Sequence, residues 1–210
     1  MVDTSTRERV ADYYSEKVRR HGETAQGVDW NSTESQKTRF DQLLGIVPSG
    51  ATEYSGLDYG CGYGAIIDVL TERGQPFRYV GYDVSEEMIL RARRLHPWDQ
   101  CEFTTDEEEL GPCDYVVASG VLNVRLGASK AEWKEYVLET LDDLHRLSLK
   151  GFAFNALTSY SDPDHMRDDL FYADPSWLFD HCKRRYSGQV ALLHDYGLYE
   201  FTILVRKNLE

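Results

Sequence analysis

The run Leu57-Asp58-Tyr59-Gly60-Cys61-Gly62-Tyr63-Gly64-Ala65 restricts this chain more than any other segment. Glycines at alternate positions let a backbone turn sharply and come close to a ligand, where side chains would obstruct it. The residues before them, Ser55–Tyr59, read as a short strand, and Ala65 to about Arg73 reads as a helix stopped by Gly74. The glycines therefore fall at a strand-to-helix turn. Gly60, Gly62 and Ala65 satisfy the pattern G-x-G-x-x-G/A, which a purely structural turn can also satisfy. Asp83 adds the missing chemistry. It ends the second strand, Arg78–Tyr82, about 20 residues past the glycines, where a carboxylate can accept both ribose hydroxyls of a nucleoside and would repel a 2′-phosphate. The competing reading has Asp83 share the capping of the next helix with Ser85.

The rest of the chain has two textures. Residues 1 to about 50 read as helices and a loop. Ser5-Thr6-Arg7-Glu8 forms a capping box opening a helix to about Arg20, and Thr33 with Gln36 reads as a second box. Phe40, Leu43, Leu44 and Val47 then recur at helical spacing, and Pro48-Ser49-Gly50 stops the helix. From Gly56 onward strands and helices alternate, the mark of a parallel α/β sheet. Further strands fall at Cys101–Thr104, at Asp114–Ala118 with its continuous apolar run, and around Phe152–Phe154. Two more, near Val190–His194 and Tyr199–Arg206, are joined by Tyr196-Gly197-Leu198. So short a link permits only a hairpin, which reverses the last strand. The expected architecture is a doubly wound, mostly parallel seven-stranded sheet with an antiparallel last strand, residues 51–207, behind a helical lid, residues 1–50.

Composition narrows the function. The 210 residues suit one domain and are too few for a dinucleotide domain joined to a catalytic one. With 23 Lys and Arg against 36 Asp and Glu, the net charge of −13 opposes nucleic acid or an anionic membrane as partner. Cysteines 61, 101, 113 and 182 form no CxxC pair, so neither a zinc ribbon nor a disulfide framework is expected. No GxxxxGK[ST] is present to cradle a triphosphate, no metal site is expected, and no segment reads as a secretion signal or membrane span. A soluble, cytoplasmic protein is expected.

Together these pieces resemble the class I S-adenosylmethionine-dependent methyltransferases. The resemblance rests on Asp58–Gly64 as first motif, Tyr82-Asp83-Val84-Ser85 as the acidic second-strand end, Asp114–Asn123 as the fourth-strand motif, and the terminal hairpin. It covers about residues 51–207 and implies S-adenosylmethionine as cofactor. Gly60 and Gly62 would contact its methionine portion through their backbone, and Asp58 would order their loop. Asp83 would hold the ribose and Val84 would lie against adenine. Asp106 matches a position that often receives the adenine amino group, although Asp106–Glu109 also reads as a solvated acidic turn. Ser119, Gly120 and Val121 would line the methionine side.

The acceptor would be chosen by segments outside the sheet, and the resemblance does not fix it. Trp30–Gln36 with Arg39 looks like a lid segment, which includes Asn31. Arg39 could pair with the cofactor's carboxylate, or else with Glu34 or Asp41 at the surface. Tyr14 could close over the sulfonium or simply pack. The loop from Thr158 to Tyr172 leaves the sheet edge where ligands bind, making His165 a candidate base, as is His194 at the end of the next parallel strand. Trp30, Gln36, Asn123, Arg125 and Tyr172 complete a candidate acceptor rim. The expected activity is methyl transfer to an oxygen or nitrogen of a small molecule. The alternatives are a nucleotide-dependent oxidoreductase and a non-catalytic sensor of the same cofactor.

Overall fold

A computed structural model describes residues 4–28, 30 and 32–207, with side chains from Glu8 onward. The side chain of Ser5, expected as a helix cap, and Asn31 of the lid segment lie outside the described residues. Helices α1 (Thr4–His21) and α2 (Thr33–Leu43) precede the sheet. Strands β1 (Tyr54–Tyr59), β2 (Phe77–Tyr82), β3 (Cys101–Thr104) and β4 (Cys113–Ala118) follow, with α3 (Ile66–Arg73) and α4 (Glu86–Leu95) between the first three. Then come α5 (Lys130–Leu147), β5 (Ser148–Leu157), α6 (Pro175–Arg185), β6 (Gln189–Leu193) and β7 (Glu200–Arg206).

The seven strands lie in the order β3-β2-β1-β4-β5-β7-β6, and β7 alone runs against the rest, as the short hairpin link requires. The hairpin connection itself is residues 194–199. The fifth strand, read from Phe152–Phe154, extends to ten residues, of which β7 pairs with seven, Gly151 to Leu157.

Local chemistry sets the helix boundaries. Ser129 and Glu132 form a reciprocal capping box on α5, Ser85 caps α4, and Asp174 caps α6 with Pro175 in its first turn. Gly74 closes α3 in the left-handed conformation, φ +67°. The box expected at Thr33 and Gln36 is corrected by one residue. Ser32 is the cap and Ser35 reciprocates, with Ser35 N donating to Ser32 Oγ at 3.1 Å and Ser32 N to Ser35 Oγ at 3.3 Å. Gln36 is thereby free to turn inward, where it is buried.

Two cores flank the sheet. One packs Trp133, Val137, Leu141 and Leu144 of α5 against Phe152, Phe154 and Phe201. Each such fully buried side chain contributes about 1.5–3 kcal/mol. The other joins Phe40, Leu43, Ile46 and Val47 to Ile66, Ile67 and Leu70, so α2 belongs to the same core as the sheet. Helix α1 packs at the margin, where Val18 meets Tyr63 and Met88 and Ser15 Oγ lies 2.8 Å from Ser85 Oγ. Parallel register sets Asp58 opposite Gly81 and Val117, so the turns leaving β1, β2 and β4 meet at one sheet edge.

Candidate active site

Those three turns enclose a crevice of about 960 Å³, counting its open mouth. Gly60, Gly62 and Cys61 line one wall, Asp83 and Val84 a second, and Ser119, Gly120 and Val121 a third, with Asp58 at the base. The glycine turn could not be built from other residues. Gly60 has φ +82°, and a Cβ there would stand 2.4 Å from Val121 Cγ2. Its amide and that of Cys61 both donate to Tyr82 O, at 2.7 and 2.9 Å, stapling the turn to the end of β2.

Asp83 is 9% exposed and holds the turn while facing the crevice. Its Oδ2 accepts from Gly62 N at 2.8 Å and its Oδ1 from Ser85 N at 2.9 Å. The helix-start and ligand readings are therefore compatible, since each carboxylate oxygen retains a second acceptor position. Burial pushes the Asp83 carboxyl up to about 6, against the lowering effect of the two amides. Asp58, 3% exposed, accepts from Tyr79 Oη at 2.9 Å and is pushed up to about 7, first by burial and then by the Asp83 charge. Its hydrogen-bond partner is thus a tyrosine of β2 rather than the glycine-turn amides.

Helix α1 and the segment after it roof the crevice. Tyr14, Val28 and Trp30 line it, and Gln36 reaches it from α2, where it hydrogen-bonds Tyr63. Trp30 lies so close to Gly120, φ +77°, that a Cβ there would stand 2.7 Å from the ring. Phe40 and Tyr63 also line the walls, as do two residues not foreseen from the sequence, Met88 and Tyr136.

Beyond Trp30 a second cavity, about 1350 Å³ counting its mouth, shares Tyr14, Val28, Trp30, Gly120 and Val124 with the crevice. His165, Asn123 and Tyr172 line this second space. The ring of His165 stacks on Tyr199, centroids 5.4 Å apart. Asn123 Oδ1 accepts from Leu157 N at 3.1 Å, and Tyr172 Oη accepts from Arg167 N at 2.9 Å.

Four candidates fall elsewhere or bind otherwise. Arg39 lines the second cavity, not the crevice, and its partner is neither Glu34 nor Asp41 but Glu200 of β7, with Nε donating to Oε2 at 2.8 Å. Arg125 is a backbone brace. Its guanidinium donates to Ala128 O at 2.5 Å, to Leu170 O at 3.4 Å and to Asp168 O, which pins the loop after β5. Asp106 is exposed and accepts from Glu108 N at 2.9 Å, capping the short turn Glu107–Glu109, and it lines neither cavity. His194 is exposed on the far side of β7, against Tyr160 and Phe201, and also lines neither cavity. Strand β6 is the sheet edge, two places beyond β5, which carries its end away from the crevice.

The residues present suit S-adenosylmethionine. The left-handed glycines at 60 and 62 leave bare backbone on the crevice wall, and the buried carboxylate of Asp83, with spare acceptor positions, stands on the next wall. Val84, Met88 and Val121 offer apolar surface, and Ser119 Oγ is buried in the wall without a partner, as a ligand-facing hydroxyl would be.

A doubly wound sheet with a reversed last strand and this cradle defines a nucleoside-binding domain of methyltransferase type. The known proteins it is similar to carry that class to a family. A methyltransferase-domain family model matches residues 57–149. A protein of Mycobacterium tuberculosis (strain ATCC 25618 / H37Rv), Rv1506c, itself provisionally named a methyltransferase, is 53% identical over 162 residues, 77% of this chain and 98% of its own. Magnesium protoporphyrin IX methyltransferase from Synechocystis, solved with bound S-adenosylmethionine, superposes with a TM-score of 0.65 at 17% identity, covering 99% of this chain and all of the other. The DhpI complex with the same cofactor gives a TM-score of 0.66 at 15% identity over 99% of this chain and all of the other. The chain belongs to the methyltransferase family and is an S-adenosylmethionine-dependent methyltransferase.

Among the described residues no helix is long and apolar enough to cross a membrane, and no group of three or more metal-binding side chains converges.

Proposed function

We propose that the crevice holds S-adenosylmethionine and that the second cavity receives a small-molecule acceptor with an oxygen or nitrogen nucleophile. The observation that carries this reading is the shared wall. Tyr14, Trp30 and Gly120 border both spaces, so a donor in one and an acceptor in the other would meet there. When bound, the cofactor supplies an electrophilic methyl group on a sulfonium.

The chain's own residues bind, orient and exclude water. Asp83 accepts the ribose hydroxyls, Gly60 and Gly62 present their backbone to the methionine portion, and Ser119 and Gly120 meet its amino-acid end. Helix α1 and Trp30 act as the lid over the crevice, and their rings favour a cation beneath them. Alignment in a dry site is most of what such a displacement needs. His165 is the base available to an oxygen acceptor, whereas an amine need only arrive neutral. The acidic composition supports a small molecule over a nucleic acid, and a cytoplasmic setting suits it.

The test uses methyl-labelled donor with a panel of low-mass phenols, alcohols and amines, with RNA and protein as counter-arms. Label entering a low-mass acceptor is the expected result. Label entering only RNA or protein would sink the small-molecule reading.

A further inference from the structure

The second cavity contains a buried ion pair, neither member of which lines the crevice. Arg39 and Glu200 are 5% and 2% exposed. They meet side-on, Nε to Oε2 at 2.8 Å and Nη2 to Oε1 at 2.7 Å. Asn155 Nδ2 donates a further bond to Glu200 Oε2 at 3.0 Å, while Asn155 Oδ1 accepts from Gly120 N at 2.8 Å. The guanidinium lies over Trp30, 4.0 Å from the ring centroid. Its last nitrogen, Nη1, is buried with no partner.

Two features of this arrangement point to a ligand. Two ions removed from water gain a fold little over an apolar pair, so their presence asks for another reason. A buried guanidinium nitrogen without an acceptor is costly and rare in folded proteins.

We propose that Arg39 and Glu200 select the methyl acceptor by charge, taking one that presents an uncharged oxygen to Arg39 Nη1 and refusing one that presents a carboxylate or phosphate there. This inference rests on the second cavity being the acceptor site. The positive charge of Arg39 is already balanced by Glu200. A second anion would set two negative charges around one cation away from water, and the like-charge cost falls on the ligand. The other guanidinium on the wall offers no relief, because Arg167 meets Asp169 through Nε at 3.0 Å and Nη2 at 2.5 Å. The surrounding rings of Tyr14, Trp30, Tyr172 and Tyr199 suit a planar ligand body. The acceptor class is therefore a neutral aromatic compound carrying a carbonyl-type oxygen.

The test titrates two matched probes, 4-hydroxybenzamide and 4-hydroxybenzoate, into the full chain loaded with S-adenosylhomocysteine, by calorimetry. The wild type is expected to bind the amide at least tenfold more tightly. Glu200→Gln, which leaves Arg39 unbalanced, is expected to reverse that order. The double variant Arg39→Gln/Glu200→Gln, neutral again but without the guanidinium donor, is expected to bind both probes with similar, weaker affinity. A cooperative thermal transition certifies each variant, and should Glu200→Gln not fold, the wild-type ratio and the double variant decide. Equal or tighter binding of the benzoate by the wild type overturns the proposal, as does an unchanged ratio in a folded Glu200→Gln. Binding of neither probe does the same. If the labelled-donor panel finds no low-mass acceptor at all, the assignment of the cavity fails with it. If it finds one and the probe ratio is flat, charge selection alone fails.

Discussion

The two cavities either side of Trp30 are built in opposite ways. The crevice comes from turns that directly follow three adjacent strands, and much of its wall is backbone held by backbone, as where Gly60 N donates to Tyr82 O. The second cavity draws on α1, α2, the loop after β5 and the link between β6 and β7, and part of its wall is side chain held by side chain, as where Arg39 meets Glu200 161 residues away. The contrast teaches a division of labour. A ligand common to a whole family can be gripped by the geometry of a turn, while a ligand particular to one member is met by side chains that can change without disturbing the sheet.

Substitutions can break or sharpen that contrast, and the largest effect should erase it. Trp133, 1% exposed, donates from Nε1 to Leu122 O at 2.8 Å, so α5 holds the turn after β4 that serves both cavities. Trp133→Ala should cost about 3–5 kcal/mol in chemical denaturation and weaken cofactor and acceptor together. Gly60→Val should act on the crevice alone. The left-handed backbone and the contact with Val121 together predict a loss on the order of a hundredfold in S-adenosylhomocysteine affinity by calorimetry.

Asp83→Ala should weaken the same binding by about tenfold or more, the value of charge-assisted hydrogen bonds. The wild type should show this through pH. Asp83 has an ordinary value of 3.8 and sits at about 6 when folded. Between those values the native state keeps a proton that the unfolded chain has lost, so this group lowers stability as pH rises through that window and adds no further loss above it. Binding runs in the opposite sense. Ribose hydroxyls need the ionised carboxylate, so affinity should fall as pH drops through about 6, and an affinity flat across that range would remove Asp83 from the ribose.

Smaller effects should separate the cavities. Arg125→Ala frees the loop after β5 from two carbonyl contacts, at Leu170 and Asp168. It should raise the acceptor KM several-fold, about 1 kcal/mol, while leaving S-adenosylhomocysteine affinity in place. His194→Ala should alter neither turnover nor stability beyond about 0.5 kcal/mol, because that side chain reaches neither cavity.

Legibility in the sequence followed the same division. Ser85, Ser129 with Glu132, and Asp174-Pro175 announce their helices because a cap is a bond between residues two or three apart. The box read at Thr33 and Gln36 sits one residue earlier, at Ser32 and Ser35, because Ser32 and Thr33 are both good caps in succession. Asp106 and Arg39 show the limit of motif reasoning. One was placed by its position after a strand, yet its carboxylate caps a local turn. The other carried the right charge for a ligand, yet a glutamate at the start of the last strand lay within reach.

What the amino-acid order determined by itself was the alternation that makes the sheet, the hairpin that reverses its final strand, and the glycine turn with Asp83 beside it. Each depends on chain geometry or hydrogen bonds over a few residues, or on a parallel neighbour that the fold type supplies. What only the folded molecule decided was the second cavity: that Trp30 stands between two spaces, that Asn155 links Gly120 to Glu200, and that Arg39 is spoken for on one side and unsatisfied on the other. The reason is physical. A pair of charges can be matched by any partner the fold brings within a few ångströms, and contact at that range between residues so far apart in the chain is a property of packing, not of spacing.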